Sequence, residues 1–223
     1  MRIQLLVKAL AAFAAGFVLV GLLVFLSAGT LRYPCGWLFC GVLFIPMLLM
    51  GIVLFIKNPA LLQKRLMHKE TQSEQKKVVL LSILMFLAGF ILCGLDFRFQ
   101  WLQLPKWISF LAAVIFLIGY LMYAEVLREN AYLSRTVKVE EGQKVVSTGL
   151  YGIVRHPMYM TTVIMFLSMP LVLGSPISFM IMLGYIPVIA KRIWNEEIVL
   201  SEGLDGYKEY MKRVKYKVIP FIW

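Results

Sequence analysis

HPMYMTTVIMFLSMPLVLGSPISFMIMLGYIPVIA, residues His156–Ala190, runs for 35 positions without an aspartate, glutamate, lysine or arginine. A membrane helix needs about 20 predominantly apolar residues to cross a hydrocarbon core of roughly 30 Å. The run is too long for one crossing, and Pro170, Gly174-Ser175-Pro176 and Pro187 punctuate it. It reads as a helical hairpin turning near Gly174–Pro176. Each arm has about 15 residues, or ~22 Å at 1.5 Å per residue, so a tilted or incompletely spanning hairpin is expected.

Four more charge-free runs lie upstream, Ala9–Leu31, Tyr33–Ile56, Val78–Leu95 and Trp107–Ala124, each suited to one crossing. The whole chain fits this reading: of 223 residues, 61% are hydrophobic and 16% charged. Soluble domains sit near 45–50% and 25%. Disorder is excluded by the same numbers. Three cysteines (Cys35, Cys40, Cys93), all in apolar stretches and none in a C-x-x-C pair, exclude a disulfide-stapled module. Arg2 and Lys8 before an apolar run ending at Ser27-Ala28-Gly29 imitate a signal peptide. Cleavable apolar regions span only 7–15 residues, so a retained first helix is expected.

The net charge of +11 suggests nucleic acid until its distribution is read. With the N-terminus inside, twenty of the 23 Lys and Arg fall on the inner side, and only Arg32, Arg98 and Lys106 fall outside. That is the positive-inside pattern of a multi-pass membrane protein with both termini cytoplasmic. It accounts for the basic excess without a nucleic-acid partner.

The two parts of the chain differ in texture. Residues 1–127 read as N-terminal transmembrane helices, a scaffold with lipid access. Asn58-Pro59 ends the second helix, and a polar inner segment follows to Lys77, in which His68 is an ordinary exposed histidine. Asp96 and Arg98 at one helix end, and Glu125 and Arg128 at another, suit local pairing. Residues 128–223 hold specific polar groups. About thirty residues separate the fourth helix from Pro157, against 2–8 in most bundle loops. Val137–Val139 and Lys144–Val146 are expected as short extended pieces flanking a turn at Glu141-Gly142.

In Arg155-His156-Pro157-Met158-Tyr159, Pro157 suits the first helical position. The basic pair then marks the inner boundary, with Tyr159 in the aromatic belt. After the hairpin, Arg192 and Glu196 share a helical face as a candidate surface ion pair, and Glu197 points about 100° away. Leu204, Tyr207, Tyr210, Met211 and Val214 form an apolar stripe opposite Lys208, Glu209, Lys212 and Arg213, as in an amphipathic helix lying in the interface. There is no G-x-G-x-x-G, Walker A loop, H-E-x-x-H or serine elbow. The two histidines lie on different segments with no cysteine near either, which argues against a zinc site.

From Asn130 onward the chain resembles the isoprenylcysteine carboxyl methyltransferase family, and more broadly the membrane methyltransferases that include phospholipid N-methyltransferases. The resemblance is carried by Gly149-Leu150-Tyr151, Arg155-His156-Pro157-Met158-Tyr159, Glu196-Glu197, and Gly206-Tyr207-x-x-Tyr210 with Ile219-Pro220-Phe221. It implies an all-α, polytopic transmembrane bundle of about five to six membrane helices, with a C-terminal helical hairpin and a cytoplasmic cofactor-binding segment. It implies S-adenosylmethionine as methyl donor and a lipid-like or prenylated acceptor drawn from the membrane. Carried over by position, the donor contacts are Thr136, Gln143, Lys144, Val145, Val146, Tyr151, His156, Pro157, Met158, Tyr159 and Glu196. Thr136 and Lys144 depart from the family's residue types. Arg192 takes the acceptor-binding position, and Arg192 and Glu196 are the implied catalytic pair.

The residue chemistry is compatible with those roles. Tyr151 and Tyr159 offer ring faces to a cation or an adenine, and Glu196 accepts hydrogen bonds. A carboxylate acceptor is already ionised near neutral pH and needs alignment rather than a base, with Arg192 as a planar fork. An amine acceptor, as in phospholipid N-methylation, would make Glu196, Glu197 or His156 the candidate base. A sterol-reductase-like membrane oxidoreductase and a non-catalytic membrane protein are the other readings. Cysteine labelling from outside intact cells is expected to miss engineered sites at Gln72, Gly142 and Lys215 and to reach one at Gln103. Labelling at Gly142 would overturn the orientation.

Overall fold

The computed structural model describes residues 2–66, 73–102, 104–130, 132–133, 139 and 141–223, with backbone alone for 73–75. His68, Thr136 and most of Val137–Val139 lie outside the described residues. Among those described, every regular element is helical. Helix α1 (Arg2–Gly21) is prolonged by a π-helical turn at Leu22–Leu26, and α2 (Pro34–Lys57), α3 (Pro59–Leu66), α4 (Ser73–Phe99) and α5 (Lys106–Glu129) follow. The C-terminal part holds α6 (Pro157–Val172), α7 (Pro176–Met182), α8 (Tyr185–Gly203) and α9 (Tyr207–Arg213). Lys144–Val146, expected as a strand-like piece, is irregular.

Among the described residues, five segments are long and apolar enough to cross a membrane: Arg2–Leu26, Pro34–Lys57, Lys76–Phe99, Lys106–Glu129 and Pro176–Gly203. The shorter apolar α6 is the sixth helix of the bundle. Prolines stand first in α2, α6 and α7, where a missing N–H is no loss. Asn58 both ends α2 and caps α3, its Oδ1 accepting the Leu61 N–H at 3.1 Å. Leucine, isoleucine and phenylalanine side chains such as Ile45, Leu49, Ile83, Leu84, Phe110 and Leu121 stand exposed around the bundle. Water would drive such a belt to associate; lipid tails solvate it. Glu125 and Arg128 form the expected pair, at 2.7–2.8 Å.

One core draws on α2, α4, α5, α6, α7 and α8, with the buried Val24 and Phe25 of the π turn and Val218 of the tail. Helices meet closely where side chains vanish. A Cβ on Gly94 would strike the Ser27 side chain, the Val24 carbonyl oxygen and the Ala28 amide. The π turn and α4 therefore touch backbone to backbone. Gly119 of α5 leaves room for the side chains of Ile164 and Met165 of α6.

The hairpin turns where the sequence placed it, at Leu173–Ser175, but its second arm differs from expectation. The break falls at Leu183–Gly184, and Pro187 sits in the first turn of α8, where its absent N–H has no helical partner to lose. Counting both helices, the arm from Pro176 to Gly203 has 28 residues. It is therefore long enough to cross and to project beyond the bilayer. The arm runs antiparallel to α4 in a fixed register. Asp96 accepts from Ser175 Oγ at 2.5 Å, Gly89 accepts from Ser178 Oγ at 2.9 Å, and Gly184 lies beside Met85. Asp96, read as a helix-end residue suited to local pairing with Arg98, is only 1% exposed and also accepts the Leu102 N–H at 2.9 Å. Beside it, Tyr33 donates to the Leu173 carbonyl, tying the first loop to the hairpin turn.

The C-terminal stripe also departs from expectation. Leu204, Tyr207, Tyr210 and Val214 are buried against Val139, Val145, Leu200 and Met211. They pack on protein, and α9 does not present them to lipid. Overpacking costs about 1–3 kcal/mol, so Gly94→Ala should lower the melting temperature in detergent. Gly51→Ala, with nothing within 4 Å of its new methyl, should leave it unchanged or raise it. The reverse order would refute the close π-turn contact.

Candidate functional site

At the end of the bundle opposite Asp96, α8 passes the start of α6, and the tail after α9 lies across both. Glu197 organises this crossing. Its Oε1 accepts from Arg155 Nε at 2.7 Å and lies 3.2 Å from His156 Nε2, while its Oε2 pairs with Lys217 Nζ at 2.7 Å. Arg155 Nη1 also donates to the carbonyls of Val214 and Lys215, both at 2.9 Å. The Arg155 and His156 amides donate to Tyr216 and Lys217 at 2.9 and 2.8 Å. Arg155 and His156 are 8% and 5% exposed, which corrects their reading as a boundary pair. They are held inside by a carboxylate.

One residue away on α8 the arrangement is different. Tyr159 donates to Glu196 Oε2 at 2.5 Å and accepts from Arg192 Nε at 2.9 Å. Arg192 and Glu196, one turn apart, therefore meet on a phenolic hydroxyl supplied by α6. Tyr159 is buried and does not belong to an aromatic belt.

Tyr151 completes the site from the long loop. Gly149, at φ +53°, opens a 3₁₀ turn against Glu129, a backbone state that glycine adopts without strain. Thr148 Oγ1 donates to Glu129 Oε2 at 2.5 Å, fixing the turn. Asn130 Nδ2 donates to the Tyr151 hydroxyl at 2.8 Å, and Tyr210 donates to the Tyr151 carbonyl at 2.7 Å. Burial pushes the phenols of Tyr151, Tyr207 and Tyr210 above their ordinary range, so all three are neutral hydroxyls near pH 7. The Tyr207 hydroxyl is buried without a hydrogen-bond partner among the described residues.

These groups converge on one cleft. Ten of the sequence-derived residues line it: Gln143, Lys144, Val145, Val146, Tyr151, His156, Met158, Tyr159, Arg192 and Glu196. Pro157 starts α6 between two of them without facing the space, and Thr136 lies outside the described residues. Asn130, Tyr132, Leu133, Arg155, Leu200, Leu204, Tyr207 and Tyr210 line it as well. Sequence reasoning missed the last three as site residues because an amphipathic stripe was assigned to lipid. Its two tyrosines were the available signal, since a buried phenol seeks a polar partner. No group of three or more His, Cys, Asp or Glu among the described residues can hold a metal ion.

Comparison with known proteins follows the same outline. Residues 107–202 match the model of the isoprenylcysteine carboxyl methyltransferase (ICMT) family. A 91-residue stretch is 30% identical to a Delta(14)-sterol reductase of Mus musculus, covering 40% of this chain and 22% of that protein. The chain thus spans about a fifth of that relative's length. The solved structure of the eukaryotic intramembrane Ras methyltransferase ICMT aligns with a TM-score of 0.60 over 96% of this chain and 77% of its own. The identity there is 19%, so the likeness is one of fold. The resemblance to the isoprenylcysteine carboxyl methyltransferase family stands, in sequence over residues 107–202 and in fold over nearly the full length.

Glu197 and Glu196 should separate by stability. Removing one partner of a buried ion pair costs about 3–5 kcal/mol, so Glu197→Ala should lower the melting temperature and expose Lys212–Lys217 to trypsin. Glu196→Ala, at a half-buried position, should leave both nearly unchanged. Equal losses would refute the division.

Proposed function

We propose that this protein is an integral membrane S-adenosylmethionine-dependent methyltransferase, acting on the carboxylate of an isoprenylcysteine-like or other lipidic acceptor. The observation that carries the reading is the Arg192–Tyr159–Glu196 constellation, facing a cleft at one end of a membrane bundle, within the stretch that matches the family. Residues 1–127 act as scaffold and lipid access, and residues 128–223 form the transferase. The basic-residue distribution supports a cytoplasmic side for the cleft and both termini.

The residues present suit the donor. Met158, Val145 and Val146 give an apolar wall, Tyr151 and Tyr159 give ring faces, and Glu196 accepts from an ammonium or a ribose hydroxyl. Gln143, Lys144, His156 and Pro157, with Thr136, complete the proposed contacts. The Tyr207 hydroxyl, without a hydrogen-bond partner among the described residues, is a buried polar atom that a ligand's acceptor would satisfy. S-adenosylmethionine would supply a methyl group on a sulfonium, whose C–S bond breaks as the acceptor oxygen bonds the methyl carbon, leaving the neutral thioether S-adenosylhomocysteine.

The chain's task is alignment and exclusion of water. Holding two reactants in attack geometry contributes roughly 7–11 kcal/mol. Tyr159 locks Arg192 and Glu196 at a common point, so the acceptor's anionic group and the donor's cationic end are referred to one hydroxyl. Glu197 works from behind, holding the His156 ring by its Nε2. The cleft has a free volume of about 90 Å³, below the 300–1,000 Å³ of most small-molecule sites. Its walls must part for a nucleoside-sized ligand, and the non-helical 141–148 stretch is the wall that helical packing restrains least.

The 30% identity to a sterol reductase over 91 residues favours one second reading, a membrane oxidoreductase using a nicotinamide cofactor. Phospholipid N-methylation remains the same-class alternative, needing a base at the amine. Isothermal titration with S-adenosylhomocysteine and with NADPH separates the classes; binding of NADPH alone would refute the transferase. Among variants, Tyr151→Ala and Glu196→Ala should weaken S-adenosylhomocysteine binding. Arg192→Ala should retain it while lowering methyl transfer to a prenylcysteine acceptor, with Arg192→Lys rescuing only partly because lysine lacks the planar fork. Equal loss of donor affinity in Arg192→Ala and Glu196→Ala would remove Arg192 from the acceptor site.

A further inference from the structure

A second space lies on the opposite side of α8, between it and α4. Its floor is Leu81 and Met85 of α4 and Gly184 and Val188 of the hairpin arm, and its volume is about 610 Å³. Gly184, at the break between α7 and α8, lines it beside Met85, whose Sδ lies 3.7 Å from where a Cβ on Gly184 would stand. The antiparallel register of the two elements, continued from Asp96–Ser175 through Met85–Gly184, brings Lys77 opposite Lys191. Both lysines line the same groove.

The groove belongs to the lipid face. Leu81 is 52% exposed on a membrane-spanning helix, so the groove opens toward the bilayer and hydrocarbon must fill it. No residue that lines it also lines the Arg192 cleft. Lys191 and Arg192 are consecutive, about 100° apart on the helix, and α8 separates the two spaces. The occupant is therefore not the reacting acceptor.

We propose that this groove binds an anionic glycerophospholipid, with one acyl chain along Leu81, Met85 and Val188 and its phosphate between Lys77 and Lys191. An apolar floor with two ammonium groups at one end matches a tail and a head of net negative charge. A zwitterionic lipid brings its own cation to the same place and loses that match. Basic pockets between membrane helices bind anionic head groups for this reason. Lys77 already has another interaction, and an ammonium has three donors to share. The inference is independent of the proposed activity.

The test uses the full chain in detergent, native mass spectrometry, and two probes with identical acyl chains, phosphatidylglycerol and phosphatidylcholine. The wild type should retain phosphatidylglycerol roughly tenfold more tightly or better. The double variant K77Q/K191Q should bring phosphatidylglycerol down to the phosphatidylcholine level. Leu81→Trp, which fills the groove from an exposed position, should reduce retention of both. Each variant should keep the wild-type affinity for S-adenosylhomocysteine if the wild type binds it; a wild type that binds none removes the transferase reading and leaves the lipid result intact. Equal retention of the two lipids by the wild type, or undiminished phosphatidylglycerol in K77Q/K191Q, would overturn the proposal. So would displacement of phosphatidylglycerol by a prenylcysteine analogue, which would make the groove an acceptor site.

Discussion

Everything at the working end of this molecule depends on one carboxylate. Glu197 holds Arg155, His156 and Lys217 together, and these residues come from the α6 approach and the tail. Through Arg155 the carboxylate also fixes the backbone at Val214 and Lys215. Burying such a cluster need not stabilise the fold more than apolar residues of the same volume would. Its effect is geometric. An apolar replacement of the same volume lacks directional contacts, whereas a guanidinium, an imidazole and an ammonium around two oxygens accept few arrangements. The α6 start, the α8 end and the tail are thereby locked in one relation, and the cleft is the space between them.

The far end of the bundle supplies the complementary constraint. Tyr33, Asp96 and Ser175 bind the first loop, α4 and the hairpin turn to one another. From that pin the second arm runs back along α4 in a register set by Ser178 on Gly89. Helical phase then does the rest. The pin sets α7 along α4, and the Glu197 cluster sets α8, so each part of the arm has an assigned direction. Without the Glu197 cluster, a rotation of α8 by about 100° would exchange the places of Glu196 and Glu197.

Much of the bundle was legible in the sequence because lipid imposes a strong, simple rule: long charge-free runs cross, and the hairpin turn near Gly174–Pro176 follows from composition. The second arm was misjudged because it was ended at Ala190, where the charge-free run stops, whereas α8 continues through Lys191 and Arg192 to Gly203. The cleft was legible mainly through resemblance, residue by residue, which brought ten side chains to one place. What periodicity could not decide was the environment of a polar face. Arg155 and His156 were assigned to a membrane boundary and Tyr207 and Tyr210 to an interface because either reading satisfies a local pattern. The difference lies in long-range partners: 42 residues separate Arg155 from Glu197, and 59 separate Tyr210 from Tyr151. No local rule carries that information.

Four consecutive-in-pairs residues of α8 show how one helix divides its surroundings. Lys191 faces the α4 groove and Arg192 the cleft. Glu196 meets Tyr159, and Glu197, one residue on, meets the buried Arg155. A 100° step per residue is enough to move a side chain from lipid to site, or from site to core. Pro187 and the Gly184 break lie just before these pairs, so the helix that presents them begins afresh rather than inheriting its phase from α7. The two-helix arm can thus keep α7 in register with Ser178 against Gly89 while α8 is phased by Glu197. Separating those two demands is the physical use of a break that composition alone would have read as a defect.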